Sequence, residues 1–120
     1  MKFVLIVLNK VEALDELLED FVENGIHGAT IINSTGMASE LFSHHDLNIF
    51  YSLRNMMEPT RQENKTIYLV VDDDKVERVY ELANDAVGGF ENPNTGIFVS
   101  LPIDFVRGVH KKWSFYKWEY

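Results

Sequence analysis

The sequence predicts one α+β domain whose elements run βαββαβ. Three observations predict it. Four short runs rich in apolar and β-branched residues, at 3–8, 29–35, 66–71 and 97–101, have the length and composition of strands. Two longer stretches, after Asn9 and after Asp74, repeat apolar residues at the spacing of an amphipathic helix. Glycine or proline closes most of these segments, at Gly25, Gly36, Gly88-Gly89 and Pro102.

The first run, Phe3 to Leu8, is apolar without alternation, which suits a strand buried on both faces. Asn9 and Glu12 have capping-box spacing. The helix opening there carries Leu14, Leu17, Leu18, Phe21 and Val22 on one face. Glu16, Glu19, Asp20 and Glu23 form its solvated face, and Asn24-Gly25 stops it. The second strand, 29–35, ends at Gly36, and the third is Thr66-Ile67-Tyr68-Leu69-Val70-Val71. Asp72-Asp73-Asp74 comes next, with Glu77 three residues after Asp74. Carboxylates at that place read as helix caps and as partners of the positive helix end rather than as a cation site. The second helix sets Val76, Val79, Tyr80, Ala83, Ala86 and Val87 on one face and stops at Gly88-Gly89. A turn-rich passage from Glu91 to Gly96 leads into the last strand, which Pro102 halts. This order is that of a ferredoxin-like sandwich, four antiparallel strands with two helices on one face.

Between the second and third strands lies a connection, 36–65, far longer than the roughly 4–6 residues usual in compact domains. It is not composed like a linker. Phe42, Leu47, Ile49, Phe50, Tyr51, Leu53, Met56 and Met57 stand among His44, His45, Asp46, Arg54 and Arg61. Such a segment suits docking on its own assembly or on a partner, and Met56-Met57 an adaptable contact. Leu47, Phe50, Tyr51, Leu53, Met56 and Met57 are therefore the candidate partner-binding residues. His44-His45-Asp46 lacks the spaced further ligand of a metal site, so no metal is assigned. The last ten residues, 111–120, interleave lysines with aromatics and read as an extra strand or arm.

With 120 residues the chain is long enough for one domain with its own core, spanning 1–120. A net charge of −8 argues against nucleic acid as a partner. No apolar run approaches the roughly 20 residues that span a bilayer. The absence of cysteine excludes disulfides and thiolate chemistry and suits the cytoplasm. There is no nucleophile elbow and no phosphate-binding Gly-x-x-x-x-Gly-Lys-Ser/Thr loop, so the chain does not read as an enzyme.

Several of these stretches, in their order and spacing, resemble the PII signal-transduction family of nitrogen-regulatory proteins. Asn24-Gly25-Ile26-His27-Gly28-Ala29-Thr30-Ile31 resembles the lead into that family's second strand, and Gly36-Met37-Ala38 the root of its long loop. Val70-Val71-Asp72-Asp73-Asp74 resembles its third strand and helix start. Gly96-Ile97-Phe98-Val99 with Leu101-Pro102 resembles its fourth strand. The resemblance implies a cytoplasmic homotrimer that binds a small-molecule effector, an adenine nucleotide in the family, in clefts between subunits. It implies that 36–65 is an effector loop that grips or releases a target enzyme or membrane transporter. Carried over by position, Thr30, Gly36, Met37 and Ala38 would lie beside the adenine or phosphates. Gly89, Asn94, Thr95 and Gly96 would form the second phosphate-facing loop, with Arg107 as a substitute cation. Gly96 stands where the family has lysine, so a triphosphate and a less charged ligand such as a monophosphate, a cyclic nucleotide or a small anion both stand. A trimeric scaffold of the same fold with a decayed nucleotide site is the alternative.

Overall fold

The computed structural model describes residues 1–43 and 63–109. Strand β1 (Lys2–Leu8) passes through a 3-10 turn (Val11–Ala13) into helix α1 (Leu14–Glu23) and then β2 (Thr30–Ser34). Helix α2 (Met37–Ser43) is next. After the connection come β3 (Asn64–Val71), a second 3-10 turn (Asp73–Lys75), α3 (Val76–Val87) and β4 (Gly96–Pro102). The strands form one sheet in the order β2-β3-β1-β4, and every neighbouring pair is antiparallel. The described residues are thus a mixed α+β fold with a four-stranded antiparallel sheet.

Strand alternation divides the sheet into two unlike faces. Val4, Ile6 and Leu8 of β1 and Ile67, Leu69 and Val71 of β3 point to one side and are buried. Helices α1 and α3 lie over them, contributing Leu17 and Phe21 from the first and Val79, Leu82, Ala83 and Val87 from the second. The other side carries Phe3, Leu5 and Val7 of β1, with Tyr68 and Val99 in register beside Leu5. Phe3 stacks on Tyr68 with ring centroids 5.7 Å apart. Neither α1 nor α3 covers this face, so Ile97 is 55 %, Leu101 50 % and Ile32 46 % exposed. The expectation that β1 is buried on both faces therefore holds for one face only. Among the described residues α1 and α3 form one layer on the sheet, and the second apolar face is left partly exposed.

The helix stops form where the sequence places them. At the end of α1, Ile26 N–H donates to Phe21 O at 2.8 Å and Gly25 N–H to Val22 O at 3.2 Å. The end of α3 repeats this: Gly89 N–H donates to Asn84 O at 2.8 Å, and Gly88 takes the left-handed conformation with φ +79°. Neither helix has a basic residue in its last turn. Cations from elsewhere face the negative ends instead. Arg78 Nε donates to Asn24 Oδ1 at 3.1 Å, and Lys10 Nζ reaches to within 3.9 Å of where a side chain on Gly88 would begin.

The helix starts differ from expectation. The first turn before α1 is 3-10, its cap position falls on Lys10, and no side-chain cap bond forms there. Asn9 Oδ1 instead accepts a hydrogen bond from Asn64 Nδ2 at 3.4 Å. At the second helix start Asp72 holds the cap position without a side-chain cap bond. Asp73 pairs with the N-terminal amine at 2.9 Å. That hydrogen bond above all, with the charge of the amine and of Lys2, holds the Asp73 carboxyl below its ordinary value, against a desolvation effect.

Candidate functional site

The ladder register determines where the candidate ligand residues lie. Leu8 sits between Lys65 and Gly96, and Ser34 lies opposite Asn64. Gly36, Met37 and Ala38 therefore emerge at the same end of the sheet as Asn94, Thr95 and Gly96. They emerge at opposite edges, because β3 and β1 stand between β2 and β4. Three strand spacings separate them, about 14 Å. One chain places these two groups on either side of its sheet end and does not bring them onto a single small anion.

The two groups also differ in form. Gly36 begins a helix rather than an irregular loop, with Glu40 N–H donating to Gly36 O at 3.0 Å. The connection 36–65 thus opens on α2 and closes on the first residues of β3. Met37 is 76 % exposed and Ala38 half-buried. The passage from Gly88 to Gly96 is hydrogen-bonded to the end of α3 and within itself. Phe90 N–H donates to Asn84 Oδ1 at 2.9 Å, Asn92 N–H to Gly89 O at 3.1 Å, and Asn92 Nδ2 to Gly88 O at 2.6 Å. Thr95 is buried, and its hydroxyl donates to Asn92 O at 2.8 Å. With Gly88 and Gly89 N–H also engaged at the helix end, these groups hold the turn in shape and are not presented to a ligand. Asn94 is exposed with a φ of +61°. Gly96 has a φ of +138°, and a Cβ there would lie 1.9 Å from Val7 O. The lysine of the family pattern has no place on this backbone.

The sheet end holds residues that sequence reasoning missed. Ser34 Oγ lies 2.7 Å from Thr66 Oγ1 and also donates to Asn64 Oδ1. Asn64 is 8 % exposed and links this pair to Asn9. The result is an uncharged polar cluster joining β1, β2 and β3 at the root of the long connection. Asn64 and Thr66 at alternate positions were the available signal. Lys10, beside Gly88, brings the cation that Gly96 lacks close to the second loop.

At the opposite end of the sheet lies an open cleft of about 560 Å³. Thr30 lines it, together with Gly28, Tyr68, Val70, Asp72 and Lys75. It exists because β2 begins at Thr30, opposite Tyr68, so that among the described residues β3 runs on from Leu69 to Val71 without a partner on that side. Arg107 lies beyond β4. Its guanidinium sits 4.3 Å from the Phe105 ring centre and donates to Val106 O at 2.9 Å. The chain passes Met1, whose carbonyl accepts from Ile103 N–H at 3.3 Å, and then sets Gly108 and Val109 into the cleft wall.

The partner-binding candidates Leu47, Phe50, Tyr51, Leu53, Met56 and Met57 lie outside the described residues, as do His44, His45, Asp46 and 111–120. Among the described residues no group of three or more His, Asp or Glu is placed to hold a metal ion. No described helix is long and apolar enough to cross a membrane. Neither a protein-family model nor a curated protein sequence matches the chain.

Proposed function

We propose that this chain is the subunit of a PII-like homotrimer, a cytoplasmic, non-enzymatic regulator that binds a small effector between subunits and acts on a target enzyme or membrane transporter through 36–65. The observation that carries the reading is the partly exposed apolar face that the described helices leave on the sheet. β1 is apolar on both sides, and among the described residues helices α1 and α3 cover one. A face built from Phe3, Leu5, Val7, Val99 and Leu101 suits burial against further copies. The strand order β2-β3-β1-β4, antiparallel throughout, is compatible with a ferredoxin-like sandwich and supports the same reading.

Assembly would also answer the division of the ligand residues. Gly36 to Ala38 and the 89–96 turn lie at one end of the sheet, and the Thr30 cleft lies at the other. A ring of copies that sets the cleft of one subunit against the loop root of the next would complete a site that a single chain leaves in halves. The uncharged cluster of Ser34, Asn64 and Thr66 at the root, with Lys10 the nearby cation, favours a ligand less charged than a triphosphate, with an adenine nucleotide as the leading class.

The scaffold reading has one observation in its favour. The N–H groups of Gly88, Gly89 and Phe90 bond to the end of α3 and that of Asn92 to Gly89 O, which leaves these four to hold the turn rather than a phosphate. Thermal-shift and calorimetric titrations of the full chain with ATP, ADP, AMP and cyclic nucleotides decide between the two. A ligand at a hundredfold over its dissociation constant adds about 2.7 kcal/mol to the stability of the folded state. A selective rise in Tm supports the sensor. A stable trimer with no response to any nucleotide leaves the scaffold, and a monomer with no response overturns both.

A further inference from the structure

Asn24-Gly25, the stop of α1, is the only Asn-Gly pair in the chain. Such a pair is reactive in an open chain, because glycine leaves its backbone nitrogen unobstructed. That nitrogen loses its proton and bonds to the asparagine Cγ, the bond from Cγ to Nδ2 breaks, and ammonia carries the proton away. Water then opens the cyclic imide at one carbonyl or the other. The product is aspartate, or isoaspartate, in which the main chain runs through the former side-chain carbon. The rate depends on how often nitrogen and Cγ reach attacking geometry.

The fold keeps the two atoms apart in three ways. Ring closure needs Gly25 N eclipsed with Asn24 Cβ about the Cα–C bond, and a ψ of 17° at Asn24 holds it far from that position. The carboxamide is fixed at both ends: Nδ2 donates to Asp20 O at 2.8 Å, and Oδ1 accepts from Arg78 Nε at 3.1 Å. Gly25 N–H donates to Val22 O at 3.2 Å, so the nucleophile is itself engaged. Of these contacts the one from Arg78 comes from a different helix. Its Nη1 donates to Glu81 Oε2 at 3.0 Å, one turn on in α3, which aims Nε at the end of α1.

We propose that Asn24 is a deamidation site which the fold keeps closed, with Arg78 the positioning residue that holds its carboxamide away from Gly25 N. Reaction then proceeds through the fraction of molecules in which the corner between α1 and α3 has opened, and residue 24 becomes a chemical record of that opening. The change is not silent. Isoaspartate adds a backbone carbon just before Gly25, whose φ of +78° and whose neighbour's bond, Ile26 N–H to Phe21 O, close α1. Ile26 is buried in the core, so the longer chain unseats it. Gly25 and Ile26 also line the Thr30 cleft. Weakened effector binding in aged protein is the consequence for regulation, and it alone rests on the proposed function.

Peptide mass spectrometry of the full-length protein, incubated at neutral pH with and without urea, reads the gain of one mass unit at residue 24. The expected rate is far lower in the folded protein, and equal rates overturn the proposal. Arg78→Ala, at a half-exposed position, is expected to raise the folded-state rate at least about tenfold, the worth of one hydrogen bond to a charged group. Asn33, on β2 and followed by Ser34, is the internal control and is expected to stay as it was. An unchanged rate at Asn24 overturns the role of Arg78, and so does an equal rise at both asparagines, which would mean general loosening. A slower reaction would make the guanidinium an activator of the Asn24 carbonyl and would overturn it too. Should Arg78→Ala not fold, Glu81→Ala, which releases the guanidinium from α3, is expected to give a rise confined to Asn24, judged in the same way. Hydrogen exchange then separates charge from chain length. Protection of the Ile26 amide is expected to persist in Asn24→Asp and to be lost in the isoaspartate fraction, and protection in both would overturn the structural consequence. None of these readings depends on a ligand, so failure of the nucleotide titrations leaves them intact.

Discussion

At Gly96 a single backbone angle decides a question of ligand chemistry. With φ at +138° and Val7 O where its Cβ would be, the residue is glycine because β4 leaves the turn pressed against β1. Gly96→Ala is expected to lower stability by at least about 2 kcal/mol, read from the urea midpoint at unchanged slope. Asp73 illustrates the opposite case, an exposed group whose behaviour depends on its partner. Its folded-state carboxyl is held below the ordinary value of 3.8 by the N-terminal amine. A depressed carboxyl contributes stability that is present above the unfolded value and lost as pH falls through the folded one. Asp73→Asn is therefore expected to flatten the acid limb of the stability profile below about pH 4 and to leave its shape near neutrality unchanged. Equal acid limbs in the two proteins would remove this role.

Elements hold together through one face each. α1 and α3 contribute Phe21, Leu17, Val79 and Val87, all essentially inaccessible to solvent, to the covered side of the sheet. Phe21 is the largest of the fully buried side chains, and its backbone carbonyl also receives the Ile26 N–H that closes α1. Phe21→Ala is expected to cost about 3–5 kcal/mol, since the transfer and cavity terms add, and chemical denaturation measures it directly. The ends of these helices depend on residues far away in sequence. Lys10 serves the end of α3, and Arg78 the end of α1. Position within the helix reveals neither, because the last turns themselves lack a cation.

At the scale of the whole molecule, the described helices α1 and α3 cover one face of the sheet. Leu5 lies half-buried on the face opposite the helices, between Tyr68 and Val99. In a trimer built on this face, Leu5→Glu would bury a charge at the contact. It is expected to convert the assembly to monomers in light scattering while far-UV circular dichroism stays the same. A trimer that withstands the substitution would place the contact elsewhere.

Local pattern was enough to locate the four strands, the two long helices and their stops. Apolar spacing and the glycines at 25 and 88 are short-range signals, and backbone hydrogen bonding answers to them directly. The sequence also wrote β1 as apolar on both sides. Only the tertiary structure decided that the described helices cover one side and leave the other open. It decided as well that Gly36 and Gly96 stand at opposite edges with two strands between, that Asn9 turns to Asn64 instead of capping α1, and that Val109 arrives in the Thr30 cleft. Each of these depends on which strands become neighbours. That is settled by long-range pairing and packing, which no window of adjacent residues contains.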